Sequence, residues 1–371
     1  MKHELERIEI SGEDAALVRA WAVLEAGFAA RQPALRRSHW PRLAAVALGL
    51  SALFAAALSS PGRAVIDEIR EVVGVERAQP ALFSLPAPGR LLVASDAGVW
   101  VVQSDGSRRL LGDYREASWS PFGRFVAAVR ENELVALEPD GDVRWTLPRP
   151  GVRSPSWAGT ETDTRVAYVS ERRPRVVAGD GTNDRAACLR AVHFRRVAPA
   201  WRPGSGFELA LVAPNRAVHV YDLDGCARLW LSSPIRGPRR LEWSGAATRL
   251  LVVTHEGVMI LRAGTGSVAR VARATDAAFR PGGRELALIR ERGETSELLV
   301  GDRVVFRGAG KLRGLAWSPD GRWVLVGWPA ADQWVFVRAD GRGIRAVSNI
   351  SEQFRSPSFP RIQGWCCAPE L

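Results

Sequence analysis

Residues able to do chemistry are few and widely spaced in this chain. The histidines are His3, His39, His193, His219 and His255, and none has a partner at the spacing that metal ligands adopt. His219 sits inside an apolar run and reads as a core or surface histidine. Asp222 and Asp224 flank a turn and could approach a cation, but no acidic ladder accompanies them. No Gly-x-Ser-x-Gly segment supplies a nucleophile elbow. Cys188, Cys226, Cys366 and Cys367 match no Cys-x-x-Cys metal pattern. The adjacent pair Cys366 and Cys367 is badly placed to bridge to itself. Cys188 and Cys226 lie in neighbouring repeats and could meet, and small buried thiols are the default for all four. No catalytic, cofactor-binding or metal-binding residue is assigned, and the expectation is a protein that is not an enzyme.

Charge points to partners. The formal net charge is +11, and lysine occurs only at Lys2 and Lys311, so the cations are almost all arginine. Nucleic acid is one reading of such a balance, but the arginines scatter through every repeat without forming a stripe. Anionic envelope polymers or lipid headgroups match better if the domain lies outside the cell. Stretches 160–164 and 183–196 read as longer loops, where partners are commonly recruited. Arg172, Arg173, Arg195 and Arg196, in or near them, are the candidate anionic contacts.

The element that must position these residues is a repeat. An aromatic followed by a Pro/Gly turn and an apolar strand recurs: Trp119-Ser120-Pro121-Phe122-Gly123-Arg124, Trp201-Arg202-Pro203-Gly204, Phe279-Arg280-Pro281-Gly282-Gly283-Arg284 and Trp317-Ser318-Pro319-Asp320-Gly321-Arg322. Weaker copies begin at Trp157 and Trp243, and aromatic gaps run from 36 to 44 residues. That period implies a propeller or a solenoid. Each aromatic precedes an apolar run, such as Phe125 to Val129, then a second run, then an Asp-Gly pair such as Asp105-Gly106 or Asp340-Gly341. Asp-Gly between apolar runs suits a type I′ hairpin turn. Four short strands per unit make one blade. Phe83 and Phe359 fall one period upstream and downstream. Seven blades over 78–371 are expected, with six or eight as alternatives, closed by the partial unit after Ser356, because an open ring leaves two bare sheet edges. The anchor tryptophans read as inter-blade packing.

The N-terminal part differs. Residues 43–60 form an uncharged run of 18. At 1.5 Å per residue it spans roughly 27 Å, enough for a bilayer core. Arg31, Arg36, Arg37 and Arg42 precede it, so the positive-inside rule places the N-terminus in the cytoplasm and the repeats outside. Ser11 to Asp14 forms a helix-start box, and Leu17, Trp21, Leu24 and Phe28 then fall on one helical stripe that needs a partner protein or a membrane face. The expected organisation is 1–42 cytoplasmic helix and basic flank, 43–60 transmembrane helix, 61–77 connector and 78–371 propeller.

The Ser318-Pro319-Asp320-Gly321 block and the hairpins behind it resemble WD-type and TolB-like propeller repeats, over about four fifths of the chain. The resemblance implies a β-propeller and says little about partners, since the Gly-His and terminal Trp-Asp signatures are missing. The hairpins from Asp222 to Trp230 and Glu138 to Trp145 also resemble blades of quinone-dependent dehydrogenases. The layout of inner helix, span and outer domain resembles transmembrane anti-sigma factors, without their zinc-binding His/Cys motif. The expected function is a membrane-anchored extracytoplasmic module for protein interaction or ligand sensing in a bacterial cell. The alternatives are an anti-sigma-like regulator, an envelope-assembly accessory and a propeller enzyme (lactonase, hydrolase or quinone-dependent dehydrogenase).

Overall fold

Short apolar runs separated by turn residues can bury both faces only if sheets stand against one another. That is how they are used here. In the computed structural model, residues 78–81, 84–187, 197–204 and 206–367 are described. The chain divides into two units, Met1–Val65 and Ile66–Leu371, and every described residue belongs to the second. The helical stripe expected at Leu17, Trp21, Leu24 and Phe28, the membrane span expected at 43–60 and the expected connector lie outside the described residues. Among the described residues no helix is long and apolar enough to cross a membrane.

The described strands form seven four-stranded antiparallel sheets. Blade 1 comprises 90–112 with Arg361–Cys366, and blades 2 to 7 span 116–148, 153–186, 200–231, 238–272, 276–309 and 313–347. The first strands of the blades touch in sequence: Glu116–Trp119, Arg153–Gly159, Ala200–Trp201, Pro238–Trp243, Asp276–Phe279 and Arg313–Trp317. Arg361–Cys366 follows and returns to Glu116–Trp119. This cycle is a closed ring of seven blades, not a solenoid. The closing strand pairs antiparallel with Arg90–Ser95, with Leu91 opposite Trp365 and Ala94 opposite Arg361. Closure therefore joins the C-terminal strand to the first repeat, as expected from the segment after Ser356.

Seven apolar clusters hold the ring, one for each pair of neighbouring blades. The middle strands, such as Val126–Arg130 and Glu133–Leu137, are buried almost throughout because a blade covers each face. Trp328 and Trp334 are among the largest fully buried side chains. Burying an apolar side chain of this kind contributes about 2–3 kcal/mol.

Local turn chemistry explains the motif. Trp119, Trp201, Trp243, Phe279 and Trp317 each end an innermost strand, and Trp157 lies two residues before the end of its own. In three blades the next residue is a buried serine whose Oγ accepts the backbone N–H five residues on: Ser120 from Phe125 at 2.8 Å, Ser244 from Arg249 at 3.2 Å and Ser318 from Trp323 at 2.9 Å. The hydroxyl satisfies a backbone group at the turn that no strand can reach.

Four expectations need correction. The Asp-Gly hairpins are not type I′ turns. Gly106, Gly141, Gly181 and Gly341 have φ of 84°, 105°, 86° and 73°, while the preceding aspartates are absent from the positive-φ residues. The aspartate instead accepts the N–H two residues on, as Asp105 does from Ser107 at 2.9 Å. The glycine then forms a bulge that feeds the outer strand. Stretch 160–164 is no long loop: Thr160 N–H donates to Asp163 O at 2.8 Å in a tight turn. The aromatic that anchors the closing strand is Trp365, whose Nε1 donates to Pro88 O at 3.2 Å, whereas Phe359 packs partly buried between blades 7 and 1. Finally, Cys366 and Cys367 are disulfide-linked to each other, and Cys226 is disulfide-bonded as well. Free thiols are thus not the state of these three. Cys188 lies outside the described residues.

Candidate functional site

The anchor tryptophans serve the seams between blades. The indole Nε1 of Trp201 donates to Ser156 O at 2.8 Å, that of Trp243 to Ala200 O at 3.2 Å and that of Trp317 to Ala278 O at 3.1 Å. Each acceptor is the residue just before the previous blade's aromatic. An indole N–H finds its partner there while the rings exclude water. Arginines cap some of these rings: Arg90 lies over Trp119 at 5.1 Å and Arg202 over Trp243 at 5.4 Å. These contacts make a structural ladder rather than a ligand cage.

Acidic groups on the innermost strands are also used for assembly. Glu116 Oε2 accepts Ser154 N–H of the next blade at 2.6 Å, and Glu242 Oε1 accepts Phe279 N–H of the next blade at 2.8 Å. Arg240 pairs with Asp276 at 2.9 Å and donates to Ala277 O. Burial pushes the Glu242 carboxyl above its ordinary range, with Arg240 and the Phe279 N–H opposing. Among the described residues no three His, Cys, Asp or Glu side chains gather as metal ligands do. Asp224 is engaged by Arg165 at 2.6 Å, and Asp222 accepts the N–H groups of Asp224 and Gly225 at 3.0 and 3.1 Å. His219 is buried, with Nδ1 3.1 Å from Tyr221 Oη, and burial holds its pKa below the ordinary value.

Two buried carboxylates gather arginines. In blade 3, Asp184 is 7% exposed and pairs with Arg175 at 2.6 Å and with Arg149. Tyr168 Oη donates to it at 2.6 Å. Burial opposes ionisation of Asp184, yet hydrogen bonds from Arg175, Tyr168 and Arg149 hold its carboxyl below the usual range. Burial and the Asp184 charge push the Tyr168 phenol up to about 12.

In blade 6, Glu297 is 5% exposed and pairs with Arg290 at 2.6 Å, Arg292 at 3.1 Å and Arg307 at 3.2 Å. The register explains the cluster: Glu297 lies opposite Arg290 on one side and Arg307 on the other. Burial opposes ionisation here too, and the three guanidinium groups again hold the carboxyl below its usual range. Leu288 and Leu299, opposite each other on this blade, belong to the apolar seam with blade 5. Where that seam ends, the next rung is Arg290–Glu297. An open cleft of about 560 Å³ lies there, lined by Arg270, Arg273, Arg290, Arg292, Leu288 and Leu299, among others. Arg273 is exposed and pairs with no acidic group among the described residues.

The arginines expected from the sequence lie elsewhere. Arg172 and Arg173 are exposed on blade 3, at a two-residue turn in which Glu171 and Arg172 have φ of 50° and 66°. Arg195 and Arg196 lie outside the described residues. Sequence reasoning missed the blade 5–6 arginines because they look like part of a scattered background. One signal was available: the run from Leu286 to Arg292 loses its apolar pattern at Arg290 and Arg292, two residues apart and so on one strand face.

No family model matches the chain, and no curated protein matches it in sequence. Solved structures do. The C-terminal WD40 domain of Sif2 superposes with a TM-score of 0.50 at 12% identity, over 79% of this chain and 90% of that one. Hsv2p of Kluyveromyces lactis gives 0.50 at 12% identity, over 70% and 94%. A Bacteroides fragilis protein named as a candidate 6-phosphogluconolactonase gives 0.51 at 14% identity, over 76% and 98%. At these identities the likeness carries the fold and not an activity, and what it places beside this chain is the WD40-type β-propeller ring.

Proposed function

We propose that the chain is a non-enzymatic protein-interaction module, held at a bacterial membrane by 43–60 with its propeller outside. The observation that carries the interaction reading is the contrast within the ring. The acids of the innermost strands are spent on inter-blade bonds, whereas the blade 5–6 seam opens into a cleft whose arginines outnumber the acids facing them. Clefts of several hundred Å³ with a few convergent polar groups are the usual form of a binding site. The uncharged run behind Arg31, Arg36, Arg37 and Arg42 supports the anchor.

Photo-crosslinking from a photoreactive residue in place of Ala272, which lines the cleft beside Arg273, in intact cells, tests the module. One constant protein adduct is the expected result. A ladder of unrelated adducts, equal to that from a crosslinker on the far side of the ring, would remove the reading. A reporter enzyme fused after Leu371 tests the topology, with activity outside the cytoplasm expected.

A further inference from the structure

The geometry points to a carboxylate-reading site in the blade 5–6 seam, taking an extended acidic segment of a protein partner. The inference rests on the interaction reading above and names the chemistry of what the cleft accepts.

The cleft holds more positive charge than its own acids neutralise. Arg290 and Arg292 line the cleft and share one buried carboxylate, Glu297, which also takes Arg307, so at least one of the two lining charges is unmatched there. Arg290 is fixed by two hydrogen bonds to Glu297 Oε2, from Nε at 3.0 Å and Nη2 at 2.6 Å. Arg292 uses only Nε, at 3.1 Å, and is 61% exposed, which leaves its terminal nitrogens free to donate. Arg273 adds a guanidinium with no acidic partner among the described residues. Planar guanidinium groups held in place bind carboxylates in a forked geometry and lose little freedom in doing so.

The rest of the lining selects among anions. Leu288 and Leu299 supply an apolar floor, which a bare phosphate or a sugar-phosphate chain does not use. Glu291 and Asp302 also line the cleft. Glu291 pairs with Lys311 at 3.8 Å and Asp302 with Arg270 at 3.4 Å. These acids would repel a continuous polyanion such as nucleic acid. A peptide alternating carboxylate and apolar side chains fits both features, because successive residues of an extended chain point to opposite sides.

The test uses the full chain in detergent and a short fluorescent peptide of alternating Glu and Leu. Its controls are the Gln–Leu counterpart, a single-stranded DNA of similar length and inorganic phosphate as competitor. The expected result is binding of the Glu–Leu peptide at least about tenfold tighter than its Gln–Leu counterpart, weakening with salt. Arg273→Gln with Arg292→Gln should cut that binding about tenfold or more, whereas Arg322→Gln with Arg342→Gln on blade 7 should leave it within about twofold, as expected for exposed charges that do not line the cleft. Thermal melts of both double variants verify that they fold. Equal binding of the two peptides overturns the inference, as does DNA binding as tight as the acidic peptide, or no loss in the seam variant. Failure here with a constant crosslinked partner in cells would remove the acidic-segment inference and leave the interaction module. A seam-dependent peptide complex without any cellular partner would do the reverse.

Discussion

Blades 3 and 6 each bury one carboxylate under arginines, and the two sites differ in what is left over. At Asp184 two arginines and the Tyr168 hydroxyl converge on both oxygens, and the arginine side chains are only 27% and 29% exposed. The cluster is closed and ties the end of blade 2, through Arg149, to blade 3. At Glu297 three arginines converge without a hydroxyl, with side chains 32%, 61% and 48% exposed, beside an open cleft. The same chemical device acts as a clamp where donors and acceptors balance. Where donors are in excess and water reaches them, it becomes a site that can bind something else.

Removing each carboxylate should separate these roles. Asp184→Asn should destabilise the ring by about 2–4 kcal/mol in urea unfolding, because it strands two half-buried guanidinium groups. Glu297→Gln should cost less, about 1–2 kcal/mol, since its arginines are better solvated. A smaller loss at Asp184 than at Glu297 would invert the comparison.

Acid should reveal the same difference. Both carboxyls lie below their ordinary range in the folded ring. Their stabilisation is therefore present above the unfolded carboxylate pKa, about 4, and is lost as pH falls through the lower folded values. Wild-type melting temperature should drop below about pH 4, and Asp184→Asn should flatten that acid limb more than Glu297→Gln. The smallest effect on stability belongs to Arg273→Gln. It should shift unfolding by no more than about 0.5 kcal/mol while weakening the acidic-peptide complex. A large destabilisation would show that Arg273 is part of the clamp chemistry after all.

Much of the fold was legible because it is local and repeated. Trp119, Trp157, Trp201, Trp243, Phe279 and Trp317 each lie at or near the end of an innermost strand at the spacing the sequence displays, and the strand after Ser356 closes the ring. The errors fell where backbone conformation decides. Asp-Gly reads equally well as a I′ turn or as a turn with a glycine bulge, and only the φ of the aspartate separates them. Phe359 and Trp365 are both aromatic near the closing strand, but only Trp365 lies in register with Leu91. The candidate site was hardly legible. Arg273, Arg290, Arg292 and Arg307 are ordinary members of an arginine-rich chain, whereas Arg172 and Arg173 stood out only by adjacency.

The order of residues dictated the four-stranded blade and its repeat, and favoured seven blades over six or eight, because a blade depends on groups a few positions apart and is restated every forty residues or so. It also dictated that the two ends of the repeat array must meet. The gathering of three arginines on Glu297, and the cleft beside them, came only with the tertiary structure. Cross-strand register brings Arg290, Glu297 and Arg307 to one face of blade 6, and packing against blade 5 sets Arg270 and Arg273 beside Arg290 and Arg292. Neither distance is encoded by proximity along the chain.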